Sequence, residues 1–159
     1  MESVKAVITK PYEFKKIFEP FPIKGLTLRN RVVFPAVFTN YATLDGYVSK
    51  GLVHYHEEMA EDVGMDVVAV SMVLPKRGLS LRHIHIYDDK YIPGLSKLAQ
   101  GIKGKGATAI IQLCDFGARS GTFGADAEPV APSPIQLAPV KARELRVDEI
   151  KQFVVAFAE

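Results

Sequence analysis

The chain has 159 residues, 48% hydrophobic and 24% charged, which is typical of one packed globular domain. Its 20 Lys and Arg exceed its 18 Asp and Glu only slightly, giving a net charge of +2, so composition indicates neither a nucleic-acid nor a membrane partner. A single cysteine excludes an internal disulfide, and no apolar run is long enough for a membrane helix or secretory signal, so we expect a cytoplasmic protein acting on small molecules.

Two short apolar segments near the start of the chain, Phe21–Ile23 and Leu26–Leu28, predict a small β-hairpin. Lys24-Gly25 joins them, and glycine readily supplies the positive φ of a two-residue turn. Residues 31–35 then predict a brief buried strand that ends at Pro35, because proline has no N–H to donate to a ladder.

Two strand–helix units follow the first strand. Ser49 is placed to cap a helix over residues 50–62 that has one apolar face. Residues 67–73 are apolar on both faces, as expected of a parallel strand covered on both sides. Pro93 suits the first turn of a second helix, and residues 107–113 predict a third buried strand.

A long segment separates the third strand from a further helical pattern that begins at Asp148. It contains about 30 residues rich in Gly, Pro, Ser and Ala, and it predicts an irregular loop. Connections of this length are commonly functional. We therefore expect a ligand site at the ends of the second and third strands.

The alternation of strands and helices predicts parallel crossovers, in either an open doubly wound sheet or part of a (β/α)8 barrel. The last helical pattern runs to Glu159 without a cap, and three apolar strands leave two unpaired edges that a closed barrel removes. We therefore predict the α/β class and a partial (β/α)8 TIM barrel, with an N-terminal β-hairpin and the first three βα units. Residues 1–159 would form the N-terminal portion of one domain whose remainder is absent from this chain.

Several segments, in this order, resemble the N-terminal part of the old yellow enzyme, or NADH:flavin oxidoreductase, family. The resemblance covers about residues 17–159 and implies an FMN-binding TIM barrel. It further implies hydride transfer from NADH or NADPH to an activated alkene or enoyl acceptor. The segments are FEPFPIKGLTLRNRVVFPA, DGYVS, IYDDKYIPGLSKL, IIQL, VAPSPI and ELRVDEI.

The resemblance assigns five candidate cofactor-binding residues. The family's first-strand segment against the flavin falls on Pro35, Ala36 and Val37, and its second-strand backbone contact falls on Val70. Its third-strand glutamine falls on Gln112. One carboxamide offers both a donor and an acceptor, which suits the pyrimidine edge of a flavin.

The sequence departs from the family pattern at several positions. Val37 stands where the family commonly has threonine or cysteine, so this side chain offers the flavin no hydrogen bond. Asp115 stands where a histidine is common, and Arg119 lies one position later than the family's arginine. The family's substrate-anchoring pair, proton-donating tyrosine and phosphate-binding loops fall beyond Glu159. No catalytic residue is therefore assigned.

Other polar groups have simpler interpretations than catalysis or metal binding. His83 and His85 lie in an apparent loop with no carboxylate or cysteine at ligand spacing, and no metal site is predicted. His54 and His56 point to different sides of the first helix. Asp88-Asp89 is expected to precede or cap the second helix.

Three functional hypotheses remain. The first is the N-terminal part of an FMN-dependent NAD(P)H:flavin oxidoreductase, inactive alone and completed by the C-terminal barrel portion. The second is a non-catalytic partial-barrel module that assembles with a second polypeptide or with itself. An open nucleotide-binding domain is the third, and it lacks a phosphate loop after the first strand.

Overall fold

An antiparallel hairpin lies near the start of the part of the chain that the structure describes. A computed structural model of the protein describes residues 15–137 and 139–158, and the remaining ends of the predicted 1–159 domain lie outside the described residues. A short helix α1 (Lys15–Phe18) precedes β1 (Phe21–Ile23) and β2 (Leu26–Leu28). The hairpin confirms the prediction, but the positive φ of its turn, 48°, belongs to Lys24 and not to Gly25, because a turn can place its positive φ at the first central position.

The main sheet consists of parallel strands that follow the order of the chain. β4 pairs with β3 on one edge and, over its whole length, with β6 on the other. β5 pairs with the last two residues of β4. These strands are β3 (Val33–Phe34), β4 (Met65–Met72), β5 (Ile84–His85) and β6 (Thr108–Cys114).

Three helices alternate with the barrel strands β3, β4 and β6. They are α2 (Lys50–Met59), α3 (Ile92–Gly104) and α4 (Val147–Ala158). Ser49 caps α2 by accepting a hydrogen bond from the backbone N–H of Leu52 at 3.0 Å, which confirms the predicted start. The helix ends at Met59, three residues before the predicted end. Within the described ranges, no helix has the length and apolar character needed to cross a bilayer.

The core lies between the sheet and the first two of these helices. Its members are apolar residues of α2, α3, β4, β5 and the loops beside them, so both helices bury one apolar face against the sheet. The fully buried members are Ala42, Leu52, Ala60, Val68, Ile84, Leu98, Ile102 and Ala107.

Arg29 ties together the end of the barrel opposite the predicted site. Its guanidinium donates to the carbonyl oxygens of Ala60, Val63 and Lys105 at 2.7, 2.8 and 2.9 Å. These carbonyls lie where α2 and α3 end, and helix carboxyl ends attract positive charge. One side chain therefore joins both helix ends to the start of the sheet.

The prediction of one long irregular loop after β6 is wrong for its second half. That half forms a small sheet with the strand order β7-β9-β8. Strands of two to five residues between prolines are too short for their alternating pattern to stand out in the sequence. The three strands are β7 (Val130–Ala131), β8 (Ile135–Leu137) and β9 (Val140–Glu144).

Candidate functional site

The five predicted cofactor-binding residues lie toward the carboxyl ends of the barrel strands. Pro35, Ala36 and Val37 directly follow β3, whereas Val70 and Gln112 lie near the ends of β4 and β6. Because β4 lies between β3 and β6 in the sheet, the three groups are arranged side by side. Barrel enzymes carry their reactive groups at this end of the strands.

A β-bulge brings Val70 opposite Gln112. β4 carries two residues, Ala69 and Val70, where β6 carries only Gln112. A bulge bends the strand and redirects the residues it contains, and bulges are frequent beside active sites. The ladder pairs on either side of the bulge are Val68 with Ile111 and Ser71 with Leu113.

Val70 has a backbone conformation that is unfavourable for its residue type. Its φ is 38°, and β-branched residues rarely adopt positive values. Such a conformation costs on the order of 1–3 kcal/mol and persists where the surrounding structure imposes it. The sequence from Val67 to Met72 contains no glycine, so nothing in it signals the bulge.

The side chain of Gln112 is exposed on the inner face of the sheet. Ala109 and Ile111 pack against the helix-side core, so Ile110 and Gln112 face the opposite side. Ile110 is 37% exposed, and the prediction that this strand is buried is therefore wrong for its inner face. An apolar run in the sequence shows that both faces of a strand are suited to burial. It does not show that other residues of this chain cover both faces. The Gln112 carboxamide makes no hydrogen bond to the residues that the structure describes.

The backbone after β3 leaves the sheet at the candidate site. β3 ends at Phe34, and β5 occupies the same edge of β4 farther along, where it pairs with Ser71 and Met72. As a result, Ala36 and Val37 make no backbone hydrogen bond to other residues in the described ranges. Their N–H and C=O groups remain free to bind a ligand.

These groups fit the ring of FMN. When it is bound, FMN accepts and donates hydride. The free carboxamide of Gln112 has the donor and the acceptor that a flavin pyrimidine edge requires. The backbone of Ala36 adds further polar groups after β3, across β4 from Gln112. Val37 offers only an apolar side chain, so hydrogen bonding to a flavin at this position is limited to the backbone.

Arg77 and Asp115 form a buried ion pair beside the site. Arg77 follows β4, Asp115 follows β6, and their side chains are 10% and 7% exposed. Arg77 also donates to the carbonyl oxygen of Glu128 and lies over the ring of Phe153, 4.9 Å from its centroid. In the sequence, Asp115 stands out only as a departure from the family pattern, since nothing local links it to Arg77.

His83 and His85 both take part in hydrogen bonds close to the strand ends. Nε2 of His83 accepts from two backbone N–H groups, and Nδ1 of His85 lies 3.1 Å from the hydroxyl of Tyr91. Burial lowers the pKa of both imidazoles, that of His83 to about 4. The sequence predicts a loop for both residues, and this prediction is wrong for His85, which belongs to β5.

The remaining polar candidates have the structural roles that the sequence predicted. His54 is 73% exposed, whereas His56 is buried and pairs through Nδ1 with Asp66 at 2.9 Å. Asp88 caps a short 3₁₀ turn before α3 by accepting from the N–H of Lys90. Burial and the neighbouring Asp115 carboxylate raise the pKa of the Cys114 thiol, which disfavours a reactive thiolate.

A separate cavity of about 690 Å³ opens between α4 and the ends of β4 and β6. Leu113 lines it and faces away from Gln112, because neighbouring strand residues point to opposite faces. Tyr87, Asp88 and Lys151 supply polar groups to an otherwise mainly apolar wall. None of the five predicted cofactor-binding residues lines this cavity.

The fold and the position of the site define the class of protein. A hairpin followed by three parallel strand–helix units is a partial (β/α)8 barrel, with the candidate residues at the carboxyl ends of its strands. The family model described as NADH:flavin oxidoreductase / NADH oxidase matches residues 16–159. The chain belongs to this family.

Solved structures with the same fold are much longer than this chain. A 2-naphthoyl-CoA reductase in complex with 2-naphthoyl-CoA matches with a TM-score of 0.80 and 22% identity, over 89% of this chain and 24% of its own. The old yellow enzyme from Pichia sp. AKU4542 matches at 0.78 and 20%, over 89% and 40%. Morphinone reductase in complex with tetrahydroNAD matches at 0.76 and 19%, over 89% and 44%. The chain thus spans less than half the length of each.

Proposed function

We propose that residues 1–159 are the N-terminal portion of an FMN-binding barrel and form one wall of its flavin site. The observation that carries the proposal is the arrangement of unbonded polar groups, the Gln112 carboxamide and the backbone of Ala36 and Val37, at the carboxyl ends of neighbouring barrel strands. Family membership supports the same cofactor.

Each candidate residue has a distinct role in this proposal. Gln112 donates to and accepts from the flavin pyrimidine edge. Pro35 directs the chain out of the sheet, so that Ala36 and Val37 present backbone groups to the ring. Val70 lies beside Gln112, and its bulge brings the β4 backbone to the same level of the barrel.

The completed barrel would be an NAD(P)H-dependent oxidoreductase. In the proposed reaction, a hydride passes from NADH or NADPH to the flavin and then to an activated alkene or enoyl acceptor. The chain alone should be inactive, since the resemblance places the substrate-anchoring and phosphate-binding groups beyond Glu159. The single cysteine supports a reducing location such as the cytoplasm.

Titration of FMN with the purified chain tests the site. We expect weak flavin fluorescence quenching that Gln112→Ala removes. Gln100→Ala is the matched control, because Gln100 is an exposed glutamine on α3, and this variant should bind FMN like the wild type. Equal binding of FMN by Q112A and the wild type would contradict the assigned site. Tight, stoichiometric binding of FMN by the isolated chain would contradict the division of the flavin site between the N-terminal and C-terminal portions of the barrel.

A second candidate function is assembly with another polypeptide or with a second copy. Apolar side chains are exposed on the inner face of β6, where Ile110 is 37% exposed, and on α4, where Val154 is 66% exposed. Among the described residues, β6 pairs on only one edge, and an open edge of this kind favours strand addition. Light scattering coupled to size exclusion tests the hypothesis, and a stable compact monomer without flavin would contradict it.

A further inference from the structure

A buried histidine connects the segments that follow β3 and β6. His83 is 1% exposed, and its ring stacks on that of Phe38 with the centroids 4.3 Å apart and the planes at 21°. The same ring packs against Phe116, with the centroids 5.0 Å apart. Phe38 directly follows Val37, and Phe116 lies shortly after Gln112. These three rings, the His83 stack, therefore join two walls of the candidate flavin site.

The imidazole also holds the loop that follows β4. Its Nε2 lies 3.0 Å from the backbone nitrogen of Leu79 and 3.1 Å from that of Ser80. Both backbone groups are donors, so Nε2 accepts and the proton of the neutral ring lies on Nδ1. Protonation of Nε2 would remove this acceptor.

The segment after β3 lacks the backbone hydrogen bonds that would hold it in place, and the stack of Phe38 on His83 holds it instead. Ala36 and Val37 have no hydrogen bonds to the described residues around them, so the ladder does not fix their position. The next residue, Phe38, is held by its stack on His83. Ring packing thus replaces backbone hydrogen bonds in restricting this segment.

We infer that His83 is a positioning residue for the candidate site: its Nε2 orders the loop at Leu79 and Ser80, while its ring orders the segments at Phe38 and Phe116. The ordering follows from these contacts, and its relevance to flavin rests on the proposed function. His83 itself is buried, so in this inference it acts through Phe38 and Phe116 and not by binding the ligand itself.

Two variants separate the two tasks of His83. His83→Phe keeps a ring but removes the acceptor, and His83→Gln keeps an acceptor oxygen but removes the ring. In H83F we expect the amides of Leu79 and Ser80 to exchange about tenfold faster, with little change at Val37. In H83Q we expect the ¹⁵N order parameter of Val37 to fall toward about 0.6, with the loop amides still protected.

The matched controls are His54→Phe and His54→Gln on the exposed surface of α2, which should change neither measurement. In the wild-type chain, ¹⁵N NMR should show the Nδ1–H tautomer of His83. This measurement needs no variant and keeps the inference testable even if H83F or H83Q fails to fold. An Nε2–H tautomer, or an unchanged Val37 order parameter in H83Q, would overturn the inference.

Titration of the same variants with FMN distinguishes the two proposals. If FMN binding depends on Gln112 and also weakens severalfold in H83Q, both proposals are supported. If the order parameters change as expected but Q112A binds FMN like the wild type, the positioning role is retained and the proposed flavin site is wrong. If binding depends on Gln112 but not on either His83 variant, His83 does not position the flavin site.

Discussion

Arg77 donates from Nε to Oδ2 of Asp115 over 2.8 Å, and this ion pair ties the segment after β4 to the segment after β6. The same carboxylate accepts the backbone N–H of Gly117 at 2.7 Å. Where the family resemblance leads one to expect a histidine, this chain therefore has an acid that orders the strand ends. Its position three residues after Gln112 makes the pair a support for the candidate site.

Breaking the pair between Arg77 and Asp115 should destabilise the folded chain, because it leaves a buried carboxylate without its counter-charge. We expect Arg77→Met to lower the free energy of unfolding by about 3–5 kcal/mol. The adjacent Lys76→Met is the control, since Lys76 and Asp126 form an exposed pair that contributes little. Urea unfolding followed by circular dichroism measures both variants, and equal midpoints would show that burial of the Arg77 pair does not matter.

Replacement of Val70 by glycine should release the strain at its positive φ. Val68 lies in the same strand, is also buried, and is not among the positive-φ residues, so Val68→Gly is a matched control for the loss of a valine side chain. We expect V70G to cost about 1–3 kcal/mol less than V68G, because only V70G relieves an unfavourable backbone conformation. Urea unfolding of the two variants provides the comparison, and a V70G cost equal to or above that of V68G would rule out the strain.

Stability should fall in acid through His83. Burial lowers the folded-state pKa of His83 from 6.5 to about 4, so between these values the unfolded chain binds a proton that the folded chain does not. The free energy of unfolding therefore decreases as the pH falls from 6.5 toward 4, by up to about 3 kcal/mol from this group. His85, whose pKa is lowered by burial and by Lys90, acts in the same direction.

Urea unfolding of the wild type and H83Q at several pH values between 7 and 4 isolates this contribution, because H83Q retains His85. The difference in unfolding free energy between the two proteins should shrink as the solution is acidified through this window. A difference that is independent of pH would show that His83 is not held neutral by the fold.

Arg29 should contribute strongly to stability although it lies far from the candidate site. Arg29→Ala removes four charge-assisted hydrogen bonds to carbonyls at or just after the ends of α2 and α3, and we expect a loss of about 2 kcal/mol or more. Arg31→Ala is the control, since Arg31 makes a long, exposed pair with Glu19 at 3.9 Å and an exposed contact over the ring of Phe21, and exposed interactions of these kinds contribute about 1 kcal/mol or less. Thermal unfolding of both variants tests the difference, which should vanish if solvent satisfies the carbonyls equally well.

The sequence by itself determined the order and type of the main elements. The hairpin, the strands around Val68 and Gln112, and the helices that begin after Ser49 and Asp88 all follow from apolar periodicity, caps and prolines, which are local properties of the chain. The uncapped last helix and the unpaired strand edges favoured the partial barrel, and the co-linear family segments marked Gln112 as a candidate cofactor-binding residue. Local spacing is sufficient for these features because each depends on residues a few positions apart.

Only the tertiary structure decided how distant segments meet. The bulge at Val70 depends on pairing with β6, the partner of Asp115 lies 38 positions away, and the burial of His83 depends on rings from two other segments. Short strands such as β7 become stable only when β9 lies beside them. These relationships arise from packing and ladder register between segments far apart in the chain, and no pattern within a single segment specifies which distant residue will complete it.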